Sequence, residues 1–202
     1  MENLLKIIEN EFSESDGWFR IVGADWYADN LRIELSISLN DDTEPQLWAI
    51  SCEHAIREEI ISENAGFLYI ESNHPLLVEY KEPEVEVAFS KNQLSYFELL
   101  GAVSYACFKH LGEQPISRWL NTTPSEYSIC CSEFGILGKF PLSVANELIE
   151  VLSNKPIRLN FLPQRIPKYW NGNEHTEYPK NLEVLIIENS FIIGTGFSAE
   201  RS

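Results

Sequence analysis

The sequence predicts an α+β fold, a largely antiparallel sheet of about seven to eight strands packed with two long helices and a short N-terminal helix. Three observations predict it. Apolar–polar alternation recurs in clustered runs, short polar turns join those runs, and three segments carry the 3.6-residue apolar period of a helix.

Leu4, Leu5, Ile8 and Phe12 fall at helical spacing opposite Glu2, Lys6, Glu9 and Asn10, so residues 3–12 should form an amphipathic helix ended by Ser13–Gly17. From Trp18 the pattern becomes that of a strand. Leu31, Ile33, Leu35 and Ile37 alternate with Arg32, Glu34, Ser36 and Ser38, behind a hairpin turn at Ala28-Asp29-Asn30. Asn40–Pro45 is a polar turn, and the strand after it is expected to set Trp48, Ile50, Cys52 and His54 on one face. Phe67–Ile70 and Val85–Phe89 read as further strands, separated by a loop holding His74-Pro75.

The period then changes. Ser90-Lys91-Asn92-Gln93 has the spacing of a capping box, and a helix to about Leu111 should follow, stopped by Gly112. Ser95, Glu98, Tyr105 and Lys109 share a narrow stripe with Ala102. Phe97, Leu100, Val103, Cys107, Phe108 and Leu111 cover the rest, which predicts that most of this helix is buried. Leu142, Ala145, Leu148, Ile149 and Leu152 mark another helix, entered at Pro141 and ended by Asn154 and Pro156. Ile157, Leu159 and Phe161 alternate as a strand, a Pro-rich loop follows, and Leu182–Ile187 with Phe191–Gly194 form a closing hairpin around Asn189-Ser190. No repeat or long linker divides the chain, so residues 1–202 are expected to be a single globular domain.

Composition bounds the function. Thirty-one acidic against 15 basic residues give −16, and residues 1–64 alone hold 15 carboxylates and 4 bases. Such a charge repels phosphate backbones and anionic lipid and steers basic partners, so neither nucleic acid nor membrane is an expected partner. No apolar run approaches the roughly 18 residues of a membrane helix. The first residues have no basic n-region or apolar h-region, and scattered cysteines, two of them adjacent, fit reduced thiols in a cytoplasmic setting. In that setting the sequon Asn121-Thr122-Thr123 carries no glycan.

Candidate chemistry is sparse. Cys52 and His54 have the spacing of a thiolate–imidazole pair, but a core face ending in a polar residue explains them equally. Cys130-Cys131 offers at most one thiol to a given site and reads as buried packing. Gly135–Phe140 lacks the spacing and the Ser or Thr of a phosphate loop, Gly194-Thr195-Gly196 has no helix after it, and both read as turns. Of the four histidines, His110 suits a helix C-terminus, and His74 is the one with least structural explanation. The carboxylate runs Glu58-Glu59, Asp41-Asp42 and Glu82, Glu84, Glu86 read as solvated faces. Lys155, Arg158, Arg165 and Lys168 interleave with Phe161, Tyr169 and Trp170, a composition suited to an anionic or planar ligand or to internal pairing with the acidic third. No metal, cofactor or catalytic residue is assigned.

What remains is a non-enzymatic acidic protein-binding module, of the immunity or inhibitor type, that neutralises a basic protein partner. Its expected contact residues are Asp25, Trp26, Tyr27, Asp29, Asp41, Asp42 and Glu44, carboxylates in turns beside aromatics. A homodimer is compatible with this. The alternative is a small-molecule-binding protein or hydrolase with a pocket between sheet and helices, using His74, Cys52 or His54.

Overall fold

A computed structural model describes residues 1–11, 17–38, 44–61, 64–121 and 132–202 and has the α+β fold that the sequence predicts. In chain order its elements begin with α1 (Glu2–Glu11), β1 (Trp18–Tyr27), β2 (Asn30–Ser38), β3 (Gln46–Glu59), β4 (Asn64–Ala65) and β5 (Leu68–Glu71). A 3₁₀ turn at Pro75–Leu77, α2 (Val78–Lys81), β6 (Glu84–Ser90), α3 (Tyr96–Leu111) and a second 3₁₀ turn at Ile116–Arg118 follow. The chain continues with β7 (Phe134–Pro141), α4 (Leu142–Leu152), β8 (Arg158–Phe161), β9 (Lys168–Trp170), β10 (His175–Glu177), β11 (Glu183–Ile187) and β12 (Ser190–Arg201). The expected turn at 40–43, the Ser13–Asp16 helix stop, the Thr122-Thr123 half of the sequon and Cys130-Cys131 lie outside the described residues. By its contacts the chain forms two compact units, Met1–Leu77 with Pro179–Ser202, and Val78–Tyr178.

The first unit is a seven-stranded sheet in the order β4-β1-β2-β3-β12-β11-β5, every ladder antiparallel. The alternation in β2 produces its core face. Leu31, Ile33, Leu35 and Ile37 are all buried and pack with Phe19, Ile21, Trp48 and Ile50, under Leu4 and Ile8 of α1. Each such side chain stabilises the fold by about 1.5–3 kcal/mol through apolar burial. β11 is an unbroken apolar run because Val184, Leu185, Ile186 and Ile187 are buried on both faces. Its turn into β12 is Glu188-Asn189, one residue earlier than predicted. Ser190 pairs with Ile187 as a strand residue, and its hydroxyl accepts from the Ile61 N–H (2.9 Å) and donates to the Ile61 carbonyl (3.2 Å).

In the second unit a three-stranded antiparallel sheet, β7-β6-β8, turns Val85, Val87 and Phe89 onto α3 and α4. Both long helices therefore serve this smaller sheet. α3 starts five residues later than the predicted box, because Ser90 is still in β6, paired with Phe134 and Arg158. Ser95 is the true N-cap. Its hydroxyl accepts from the Glu98 N–H (3.3 Å), and the Glu98 carboxylate accepts from the Ser95 N–H (3.0 Å). The predicted burial of α3 holds for Val103, Cys107 and Leu111 and fails for Phe97 and Phe108, which are 77% and 65% exposed. Gly135–Phe140 forms most of β7 and is no turn. Gly138 is needed there because a β-carbon would stand 2.2 Å from the Trp119 carbonyl oxygen.

Candidate functional site

The β1–β2 hairpin turns through Ala28-Asp29, with Ala28 at φ +59°, and it is fastened to β3. Ala55 N–H donates to the Asp29 carbonyl (2.7 Å), His54 N–H donates to Asn30 Oδ1 (3.3 Å), and His54 Nδ1 lies 2.5 Å from Asp29 Oδ2. A bulge in β3 makes this possible. Between the pairs Ile193↔Arg57 and Thr195↔Glu53, β3 spends three residues against one in β12, and His54 takes φ +46°. The imidazole is thereby swung off the face that Cys52 occupies and out to Asp29. Asp29 is held below the usual carboxylate range, chiefly by the side-chain bond to His54 and then by a backbone hydrogen bond.

Residues opposite one another in a ladder project to the same side. Asp25 stands opposite Arg32, which stands opposite Ser51, which in turn stands opposite Ser198, forming one row on the face away from the core. The next row on that face includes Glu34 and Glu200, and Arg32 Nη1 donates to Glu200 Oε1 at 3.3 Å. Beside these rows lies a depression of about 430 Å3 bordered by Tyr27, Asn30, Arg32, Ser51 and Glu53. Asp25, Glu34 and Glu200 thus share one face with Arg32, while Glu53 and Tyr27, the latter 63% exposed, border the depression.

This arrangement joins some of the expected contact residues and separates others. Asp25 and Tyr27 belong to the acidic face, and Asp29 sits in the adjoining turn. Trp26 stands opposite Leu31 and so projects to the other side of β1, 46% exposed at the sheet end. Glu44 is exposed just before β3, at the far end of β2, which at about 3.3 Å per residue is about 30 Å away. Asp41 and Asp42 lie outside the described residues. Nothing in the sequence marks Glu34, Glu53 and Glu200 as a group. Alternation in β2 exposes Glu34, but only the register of β12 on β3 sets Glu200 in the same row, across Ala49.

The nucleophile and base candidates have structural employment. Cys52 is buried, its thiol lies 3.7 Å from the Thr195 carbonyl, and burial pushes its pKa up to about 12, leaving almost no thiolate at neutral pH. His74 Nδ1 accepts from the Leu76 N–H (3.2 Å), shaping the 3₁₀ turn. His110 Nε2 lies 3.3 Å from Glu147 Oε2, which also accepts from Lys109 Nζ at 2.7 Å. That clamp joins the last turn of α3 to α4. His175 packs edge-on against Trp170. Gly194-Thr195-Gly196 is part of β12, and Gly194 faces the Cys52 thiol. Among the described residues no three His, Cys, Asp or Glu are placed to hold a metal ion, and no helix is long and apolar enough to cross a membrane.

A second concavity, of about 330 Å3, belongs to the second unit. Tyr80, Tyr178, Trp119, Glu82, Arg165 and Lys168 line it. Tyr178 meets the edge of Tyr80 and the face of Tyr169, each at 5.0 Å, and burial raises its phenol pKa. Glu82 accepts from the Ser143 N–H (2.9 Å) at the start of α4, and Glu79, also at this pocket, pairs with Arg118. Trp119 is buried, and its indole N–H has no acceptor among the described residues.

Comparison of the chain with protein families, with curated proteins and with solved structures finds no match.

Proposed function

We propose that the chain is a non-enzymatic protein-binding module of the immunity or inhibitor type, acting in the cytoplasm, that takes a basic protein partner on the outer face of the first unit. The supporting observation is the outer face of that unit, where Asp25, Glu34 and Glu200 share a side with Arg32 next to a depression bordered by Tyr27 and Glu53. A basic side chain laid on this face meets an excess of carboxylates and the exposed ring of Tyr27, a pairing that gives both steering and an anchor. The test is affinity capture from native lysate at about 0.05 M and 0.5 M salt, where screening shortens the reach of exposed charges. A basic protein retained at low salt, released at high salt and lost with Asp25→Lys/Glu53→Lys supports the reading. Empty capture, or capture indifferent to the double substitution, removes it.

A second reading is small-molecule binding in the second unit. The convergence of Tyr80, Trp119 and Tyr178 with Arg165 and Lys168 on one concavity favours it, since aromatic rings beside basic groups suit a planar anionic ligand. A thermal-shift screen of small aromatic anions tests it, with Arg165→Ala as the variant that removes a basic lining group. A screen without hits, or a shift that survives this variant unchanged, removes the second reading.

A further inference from the structure

β1 lies at an edge of the larger sheet, and most of it is uncovered. β4 pairs with it at Phe19 and Arg20, and among the described residues no strand pairs with that edge from Val22 to Tyr27. A two-residue turn closes on a hydrogen-bonded pair, so Tyr27↔Asn30 and, by alternation, Asp25↔Arg32 and Gly23↔Glu34 spend their N–H and C=O groups on β2. Ala24 and Trp26 direct theirs outward from the sheet edge. We propose that the basic partner binds at this edge, by adding to the sheet an extended segment that carries Lys or Arg at every second position. The proposal rests on the acidic-face reading and names the kind of segment that face takes.

Side chains set the spacing. On the outer face Gly23 and Asp25 lie two residues apart, about 6.6 Å along a strand. Gly23 has no side chain, and the Glu34 carboxylate of β2 leans over it, since a β-carbon on Gly23 would stand 3.3 Å from Glu34 Oε2. Carboxylates therefore reach the open edge at both positions, and the exposed Tyr27 continues the series on the same face. Alternate residues of an added strand face this side and meet, in turn, Glu34, Asp25 and the Tyr27 ring, which suits cations at that spacing. Arg32, on the same face, reaches across β3 to Glu200 (3.3 Å), so its charge is drawn away from the edge. Arg20, the one basic residue of β1, lies in the stretch that β4 covers.

Charge selects this occupant over a second copy. An open strand edge is a template for another strand, and natural edges carry charge to limit self-pairing. Two β1 edges laid against each other would bring Asp25 and Glu34 of both copies together, in chains of −16 each, and like charges facing across strands oppose pairing. A segment with cations at alternate positions satisfies the same N–H and C=O groups and turns that repulsion into attraction. Main-chain bonds then supply affinity, and the side chains on one face supply specificity.

The probe is an end-blocked hexapeptide in which lysine and valine alternate, titrated into the isotope-labelled full chain by NMR at about 0.05 M salt. Binding with a Kd below about 1 mM is expected. At saturation the Ala24 and Trp26 amide hydrogens should exchange with solvent about fivefold more slowly or better, while those of Asp25 and Tyr27, already bonded to β2, should not change. Two control peptides keep the charge. One is N-methylated throughout and so lacks main-chain donors, the other has its lysines first and its valines last, and both should bind at least about tenfold more weakly. Ala24→Pro, which removes an outward N–H and no bond to β2, should weaken the alternating peptide to the same extent. No binding up to about 1 mM, a control that binds as tightly, or binding without protection of Ala24 and Trp26 overturns the proposal. Protection of those amides without peptide, rising with protein concentration, would put a second copy on the edge and overturn it too. Any of these results beside a salt-sensitive basic protein in the lysate capture leaves the acidic-face reading intact, whereas an empty capture beside a peptide bound at the edge removes that reading alone.

Discussion

Asp29 and His54 lie 25 positions apart and meet at 2.5 Å because β3 bulges where β2 and β12 flank it. The bond favours the charged carboxylate, so the folded-state pKa of Asp29 lies below its ordinary value of 3.8. A depressed acid contributes stability above its unfolded pKa and loses it as pH falls through the folded one. NMR titration of the Asp29 carboxyl carbon should give a midpoint below 3.8. The stability gap between wild type and Asp29→Asn should be present at pH 6 and close under stronger acid, and a gap independent of pH would count against the bond.

Gly194 and Cys52 fill the same space on neighbouring strands. A β-carbon at position 194 would stand 2.3 Å from the Cys52 sulfur and 3.1 Å from the carbonyls of Glu53 and His54. Gly194→Ala should destabilise the chain by about 1–3 kcal/mol in urea denaturation. Removing the sulfur in Cys52→Ala/Gly194→Ala should recover only part of the loss, since the carbonyls stay.

Thiol chemistry provides an independent check on the two buried cysteines. Burial raises both Cys52 and Cys107 to about 12. Mass-spectrometric mapping after iodoacetamide treatment at pH 8 should find both unmodified in the native chain and both labelled in denaturant. Native labelling of Cys52 would reopen its candidacy as a nucleophile.

Tyr27 and Trp26 are neighbours in sequence on opposite sides of β1, so their substitutions should differ. Tyr27→Ala should weaken capture of the basic partner by about tenfold or more, whereas Trp26→Ala should change it far less. Tyr27→Ala should move stability little, because that ring is 63% exposed. Equal losses would place the contact in the turn and not on the acidic face.

Glu147 joins two helices through Lys109 and His110, and the Lys109 bond leads in holding its carboxyl below the ordinary 4.5. Lys109 is raised by the same bond. Glu147→Gln should lower the urea midpoint at neutral pH, and the difference should shrink as pH falls through the folded pKa of Glu147. A difference that persists in acid would mean that the carboxamide disturbs packing.

Much of this was legible in the residues. The alternation from Leu31 to Ile37 and the period of Leu142–Leu152 gave β2 and α4 nearly to the residue, because one buried face dictates both patterns. The capping box was ambiguous because Ser90 and Ser95 each precede a Gln or Glu by three. The pairing of Ser90 with Arg158, 68 positions on, decided between them. Likewise Cys52 and His54 alternate correctly for an ideal strand, and the bulge that parts them answers to β12, some 140 positions away. Phe97 and Phe108 look like core on a helical wheel, and a wheel does not show how wide the covering sheet is. Residue type and nearness in sequence group the acidic contact residues, yet successive turns of an antiparallel sheet fall at alternate ends.

The placement of β12 has a consequence for synthesis. It lies between β3 and β11, so the larger sheet lacks an interior strand until residues 190–201 leave the ribosome. The second unit, residues 78–178, is made in the meantime, which at about 5–20 residues per second takes roughly 5–20 s. During that interval β3 has an open hydrogen-bonding edge with Trp48 and Ile50 beside it, the kind of nascent surface that recruits chaperones or a neighbouring chain.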